Sequence, residues 1–216
     1  MTIGESRAPV QAGEPAPEFT LRAVEREGTV SLADYRGRAP VLLALFRGLY
    51  CPFCRRAIAQ LGITREKLRG MGVETLGVVA TKTENARLYF RFRPTRLPLA
   101  ADAELVTHRA YGLRPPMTPD LLQALETVLL NPTGELPEPM PEMAAAEALD
   151  RLDGFEPTAT DREEGKRQFP LLKGQFLVDR DGIVRWANIE CAVEGIASFG
   201  KFPTEETILA AVRTLR

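Results

Sequence analysis

A seven-residue apolar run, Pro40 to Phe46 (PVLLALF), ends five residues before the first thiol of a Cys-Pro-Phe-Cys tetrad, Cys51 to Cys54. An uninterrupted apolar run of strand length is expected of a central strand buried on both faces, the place created by a sheet with helices on either side. Pro52 suits the first turn of a helix, where its missing N–H would have no partner anyway. Phe53, Ala57, Leu61 and Leu68 then give a rough helical stripe, which Gly70 and Gly72 stop. The stretch reads as a buried strand delivering two thiols to the first turn of a helix.

The rest of the chain extends that rhythm. Phe19 to Ala23 reads as a short strand, and Ser31 caps a short helical segment, LADYRG, that ends at Gly37. VETLGVVAT is a second buried strand, ENARLYFRFR a helix, LPLAAD a short strand, and Glu104 to Tyr111 another helix. QFLVDRDGIVRWANI reads as a β-hairpin turning at Asp-Arg-Asp-Gly, and Thr204 caps a last helix, Glu205 to Leu215. Alternating strands and helices argue for an α/β fold, a central mixed sheet flanked by helices. The rhythm breaks from about 113 to 170, where eight of the chain's 17 prolines lie between Pro115 and Pro157. Two helices are expected there, near Asp120 to Leu130 and Glu142 to Leu152, and no strands. We read residues 1–216 as a single domain with a helical, proline-rich insertion at about 113–170.

Composition excludes more than it selects. A net charge of -1 gives no electrostatic reason to expect nucleic acid or a membrane surface. The N-terminal text lacks a basic stretch followed by an apolar run, and no apolar run approaches the roughly 20 residues that span a bilayer. A cytoplasmic location is the expectation. Three cysteines are too few for a stapled secreted scaffold, and in a reducing compartment a close pair is catalytic or metal-binding more often than structural.

Cys54 follows Cys51 by three residues, so both fall on one helix face if both lie in the first turn. Unpaired N–H groups and the helix dipole favour a thiolate at the first cysteine, as do nearby cations. Arg47, Arg55 and Arg56 flank the pair, and Arg55 is carried forward as a candidate thiolate stabiliser. Cys51 is the expected nucleophile, attacking a peroxide oxygen or an electrophilic sulfur. Cys54 is the expected resolving thiol. A zinc site would need two more ligands, and the candidates of the usual types, His108 and Cys191, are distant in sequence. No cofactor and no metal are expected.

PAPEFTL, VSLADYRGRAPVLLALFRGLYCPFCRR and QFLVDRDGIVRW together resemble the peroxiredoxin-like alkyl hydroperoxide reductase/thiol-specific antioxidant family of the thioredoxin superfamily. The resemblance covers about residues 9 to 112 and 170 to 216. It implies a thioredoxin-like fold, an active cysteine after the first central strand, and peroxide reduction with electrons returned by a thioredoxin-like protein or a small thiol. Members typically carry Thr or Ser three residues before the peroxidatic cysteine and Pro seven before it. Gly48 and Ala44 hold those places here. The family's active-site Arg corresponds to Lys173, which would give electrostatic support without the guanidinium's forked donors. Thioredoxins place a cis-proline at the entry to that same strand. Gly174 matches that position, with Pro170 a few residues earlier.

Three functions therefore stand: reduction of hydrogen peroxide or organic hydroperoxides by the dithiol, disulfide reduction without meaningful peroxidase activity, and a non-enzymatic redox-sensing or interaction module. Homodimer formation stays open. Cys191 reads as a small buried hydrophobe or a further thiol, and His108 as a solvated residue on a surface helix. Trp186 and Phe199 read as hydrophobic cover, and Tyr50 and Phe53 as either packing or a hydrophobic lip. Arg87, Arg91, Arg93 and Arg96 read as a solvated face.

Overall fold

The computed structural model describes residues 7–116 and 118–215. Ten strands and helices build a seven-stranded mixed sheet and its flanking layers. In chain order they are β1 (Thr20–Ala23), β2 (Thr29–Ser31), β3 (Val41–Phe46), α1 (Pro52–Gly70), β4 (Glu74–Val79), α2 (Thr83–Phe92), β5 (Leu99–Ala101), α3 (Val106–Ala110), β8 (Gly174–Val178) and β9 (Val184–Ile189), with β6 and β7 falling in the insertion. The sheet order is β2-β1-β5-β4-β3-β8-β9. β3 runs parallel to β4 and antiparallel to β8, so it sits at the switch between the parallel and antiparallel parts. The final helix is α7 (Glu205–Arg213), capped by the Thr204 hydroxyl, which accepts from the Thr207 N–H.

β3 explains its own apolar run. All six of its residues are buried, with Leu42, Ala44 and Phe46 in the core beneath α1 and Val41, Leu43 and Leu45 in the core on the opposite face. A strand with two buried faces has no polar positions to offer. α1 seats Phe53, Ala57, Leu61 and Leu68 in the first of these cores. Leu61 is wholly buried, and its truncation to Ala should cost about 2–5 kcal/mol.

The insertion carries α4 (Pro119–Thr127), β6 (Leu129–Leu130), β7 (Met140–Pro141), α5 (Glu142–Asp153) and α6 (Ala159–Gln168). β6 and β7 pair only with each other, a two-residue ladder where no strand was expected. α6 is a third helix beyond the two expected. Its sequence ATDREEGKRQ has no apolar stripe, because the residues it buries, Glu164 and Gln168, are polar. Its Thr158/Asp161 capping box was the available signal. α5 lies against α1, and Leu130, Leu136, Ala145 and Leu149 of the insertion join the same core as Cys51 and Cys54.

His108 corrects a sequence expectation. It is fully buried, not solvated. Its Nε2 lies 2.9 Å from the Phe46 carbonyl, which can only accept, so Nε2 carries a proton. Its Nδ1 lies 3.0 Å from Asp102 Oδ2. Burial alone would raise the Asp102 carboxyl, but His108 and backbone N–H donors hold it below its usual range. The pair ties α3 to the last residue of β3, at the threshold of the thiols. Among the arginines expected on a solvated face, Arg91, Arg93 and Arg96 are exposed. Arg87 is half-buried and donates to the carbonyls of Ala23, Val24 and Arg26.

Candidate active site

Cys51 is the N-cap of α1, in extended backbone (φ -82°, ψ 110°), and Pro52 occupies the first turn as its missing N–H allows. The Cys51 Sγ accepts from the Cys54 N–H at 3.4 Å and from Arg47 Nε at 3.4 Å. A cap acceptor is the sulfur's structural duty, and the same donors favour its anion. The two thiols are unbonded and buried, with Cys51 3% exposed and Cys54 not exposed.

Four buried ionisable side chains meet here from separate parts of the chain. Arg47 follows β3, Lys173 precedes β8, Glu190 follows β9 and Cys51 opens α1. Arg47 Nη1 donates to Glu190 Oε2 at 2.6 Å and to the Leu171 carbonyl at 3.1 Å, and Phe199 covers its guanidinium at 4.4 Å. Lys173 Nζ donates to the Gly200 carbonyl at 2.6 Å and lies 3.4 Å from Glu190 Oε1. With Cys51 ionised, two cations face two anions, and with Cys51 protonated a buried positive charge stands uncompensated.

That balance sets the thiols apart. Burial pushes the Cys51 thiol up, but the Cys54 side-chain hydrogen bond, the charges of Arg47 and Lys173 and the Arg47 hydrogen bond outweigh it and hold it well below the ordinary thiol range. Burial, the hydrogen bond to Cys51 and the Cys51 charge push Cys54 well above that range. The surroundings thus favour the anion at Cys51 and the neutral thiol at Cys54. Burial and the charge of Cys51 raise Tyr50, and burial raises Glu142 at the start of α5 while Arg47 opposes it.

Arg55 goes elsewhere than the expected thiolate. Its guanidinium donates to the Leu49 carbonyl at 2.9 Å, Asp150 Oδ1 at 2.5 Å and Asp153 Oδ2 at 2.8 Å, and covers Phe155 at 4.0 Å. Arg56 joins Glu135 and Asp153. Both arginines clamp the insertion to α1, while Arg47 reaches the sulfur. Its place between a buried strand and the N-cap was the sequence signal for it. Glu190 had no comparable signal.

Gln168 of α6 closes the other side. Its Oε1 accepts from the Gly48 N–H at 2.8 Å, and its Nε2 donates to the Ala80 carbonyl. The Phe169–Pro170 peptide that follows is cis. Phe199 meets Phe53 edge-on, ring centroids 6.5 Å apart. Cys191 is half-buried in a left-handed conformation (φ 66°), and burial with the Glu190 charge pushes its thiol up to about 11. It therefore stays protonated at neutral pH. Among the described residues no group of three or more His, Cys, Asp or Glu is arranged to hold a metal, and no helix is long and apolar enough to cross a membrane.

A dithiol at the head of a helix, one member in surroundings that favour its anion, on a mixed sheet flanked by helices, defines a thiol-dependent oxidoreductase. The chain belongs to the AhpC/TSA family, whose pattern matches residues 12–138 and so runs from ahead of β1 into the insertion. It is 31% identical over 131 residues to the thiol-disulfide oxidoreductase ResA of Halalkalibacterium halodurans, covering 60% of this chain and 68% of that protein. Its fold is similar to that of the reduced Plasmodium vivax 2-Cys peroxiredoxin, with a TM-score of 0.61 at 16% identity over 96% of this chain and 82% of that one. It is also similar to peroxidoxin BcpB of Mycobacterium tuberculosis, with a TM-score of 0.58 at 14% identity over 95% and 98% of the two chains. At those identities the structures establish a shared thioredoxin-type fold.

Proposed function

We propose that this protein is a thiol peroxidase in which Cys51 attacks and Cys54 resolves. The observation that carries the reading is the buried Cys51 sulfur itself, held between Arg47 Nε and the Cys54 N–H. The thiolate attacks the terminal oxygen of a hydroperoxide, the O–O bond breaks, and the departing alkoxide or hydroxide takes up a proton. Cys51 becomes a sulfenic acid. Cys54, losing its proton, attacks the Cys51 sulfur, the S–O bond breaks, water leaves and the intramolecular disulfide forms. A thioredoxin-like dithiol or a small thiol then restores both thiols by exchange.

Arg47 and Lys173 hold positive charge where the oxygen anion leaves, which supports this reading. The insertion at 113–170 contributes to the same core as α1, which favours reading the chain as one thioredoxin-like unit. Peroxide consumption coupled to a thioredoxin system is the test. Activity no higher than that of a Cys51→Ser control would end the proposal.

Disulfide reduction is the second reading, favoured by Gly48 in place of a hydroxyl residue and by the likeness to the thiol-disulfide oxidoreductase ResA. Insulin reduction that needs both cysteines, in protein inert to peroxide, would select it.

A further inference from the structure

Glu190 never touches the sulfur, yet the site converges on it. Its side chain is 1% exposed. It accepts from Arg47 Nη1 at 2.6 Å, Arg47 Nη2 at 3.3 Å, the Lys173 N–H at 3.0 Å and the Gly200 N–H at 2.7 Å, with Lys173 Nζ at 3.4 Å. Backbone donors on two separate loops fix the carboxylate, so it has no freedom to follow the guanidinium if that group turns. A planar guanidinium held at both Nη atoms has its third nitrogen aimed for it. Here that nitrogen, Nε, points at Cys51 Sγ. Two buried cations would otherwise repel each other with no anion between them.

We propose that Glu190 is the positioning residue of this site, fixing the Arg47 guanidinium so that Nε meets Cys51 Sγ and holding Lys173 beside it. The inference rests on Cys51 being the attacking thiolate. Its rival is that Glu190 only neutralises charge. The two make opposite forecasts, because removing a nearby negative charge by itself favours the thiolate, whereas releasing Arg47 disfavours it.

The test follows thiolate absorbance and iodoacetamide alkylation against pH in reduced protein, with Cys51→Ser as the control that assigns both signals. The other groups facing Cys51 are Arg47, Lys173, Cys54, Tyr50, Glu142 and Asp150, all left intact. Glu190→Asp keeps the charge but withdraws the carboxylate by one methylene. It should move Cys51 ionisation to higher pH and slow alkylation at pH 6 by about tenfold to a hundredfold. Glu190→Gln should move it the same way. In an Arg47→Lys background, Glu190→Asp should have little further effect.

Ionisation unchanged in Glu190→Asp, or moved to lower pH in Glu190→Gln, would overturn the assignment. If Glu190→Gln does not fold, the aspartate variant decides alone. Failure of the underlying reading looks different: Cys51→Ser would leave the wild-type absorbance step and alkylation in place.

Discussion

The ring of Tyr50 is packed against Gly48: a β-carbon on Gly48 would stand 2.9 Å from Tyr50 Cδ1 and 3.1 Å from Gln168 Nε2. A β-carbon on Gly165 of α6 would meet the other edge of the ring at 3.4 Å. Two glycines from distant parts of the chain box the ring, so packing decides the residue three before Cys51. Gly48→Thr should lower stability by about 1–3 kcal/mol in urea unfolding, and Tyr50→Ala in the same protein should recover part of that. A single variant as stable as the parent would refute the packing account.

Arg47→Gln removes both a donor and a cation from the thiolate. At pH 6 alkylation of Cys51 should slow on the order of a hundredfold, with the difference narrowing as pH rises into the ordinary thiol range. The stability consequence has a fixed sign. A depressed Cys51 stabilises reduced protein fully above the unfolded thiol value, and that contribution is lost as pH falls through the depressed folded one. Cys54, raised, is neutral in both states below the ordinary thiol range, and it is present in both proteins of the comparison below. Reduced protein should therefore gain stability over Cys51→Ser as pH rises through it, read by thermal unfolding.

Closing the disulfide removes the Cys51 charge and leaves Arg47 and Lys173 opposed by Glu190 alone. The reduced form should therefore be favoured, with the couple toward the oxidising side. Arg47→Gln should make the disulfide harder to reduce by about tenfold, or about 30 mV, in a glutathione redox titration. An unchanged midpoint would mean that the buried charges do not set the poise.

Arg55 anchors the insertion, and its loss should separate access from ionisation. Arg55→Met strands Asp150, while Asp153 keeps Arg56, and should cost about 3–5 kcal/mol. Cys51 should keep its low ionisation while reacting faster with a bulky aromatic disulfide. A loss of thiolate absorbance instead would return Arg55 to the role first expected of it.

What was legible in the sequence followed from period and punctuation. The β3 run, the proline at the head of α1, the Asp-Gly turn and the Thr204 cap are local devices, and each element formed where its text placed it. The thiols were legible for the same reason, since their spacing and their helix are local. Arg55 and Arg47 were not separable, because which arginine reaches a sulfur depends on partners such as Asp150 and Glu190 that lie far along the chain. His108 was misread and α6 missed because His108 and the two buried residues of α6, Glu164 and Gln168, are held by polar contacts, which leave no hydrophobic pattern to find.

β3 sends alternate residues into the two cores, so its amide hydrogens can meet solvent only when both layers part together. They should report the global opening of the molecule. Arg47 and Cys51 hang from the end of that strand, and the reactive sulfur is thereby mounted on the last portion of the protein to come apart.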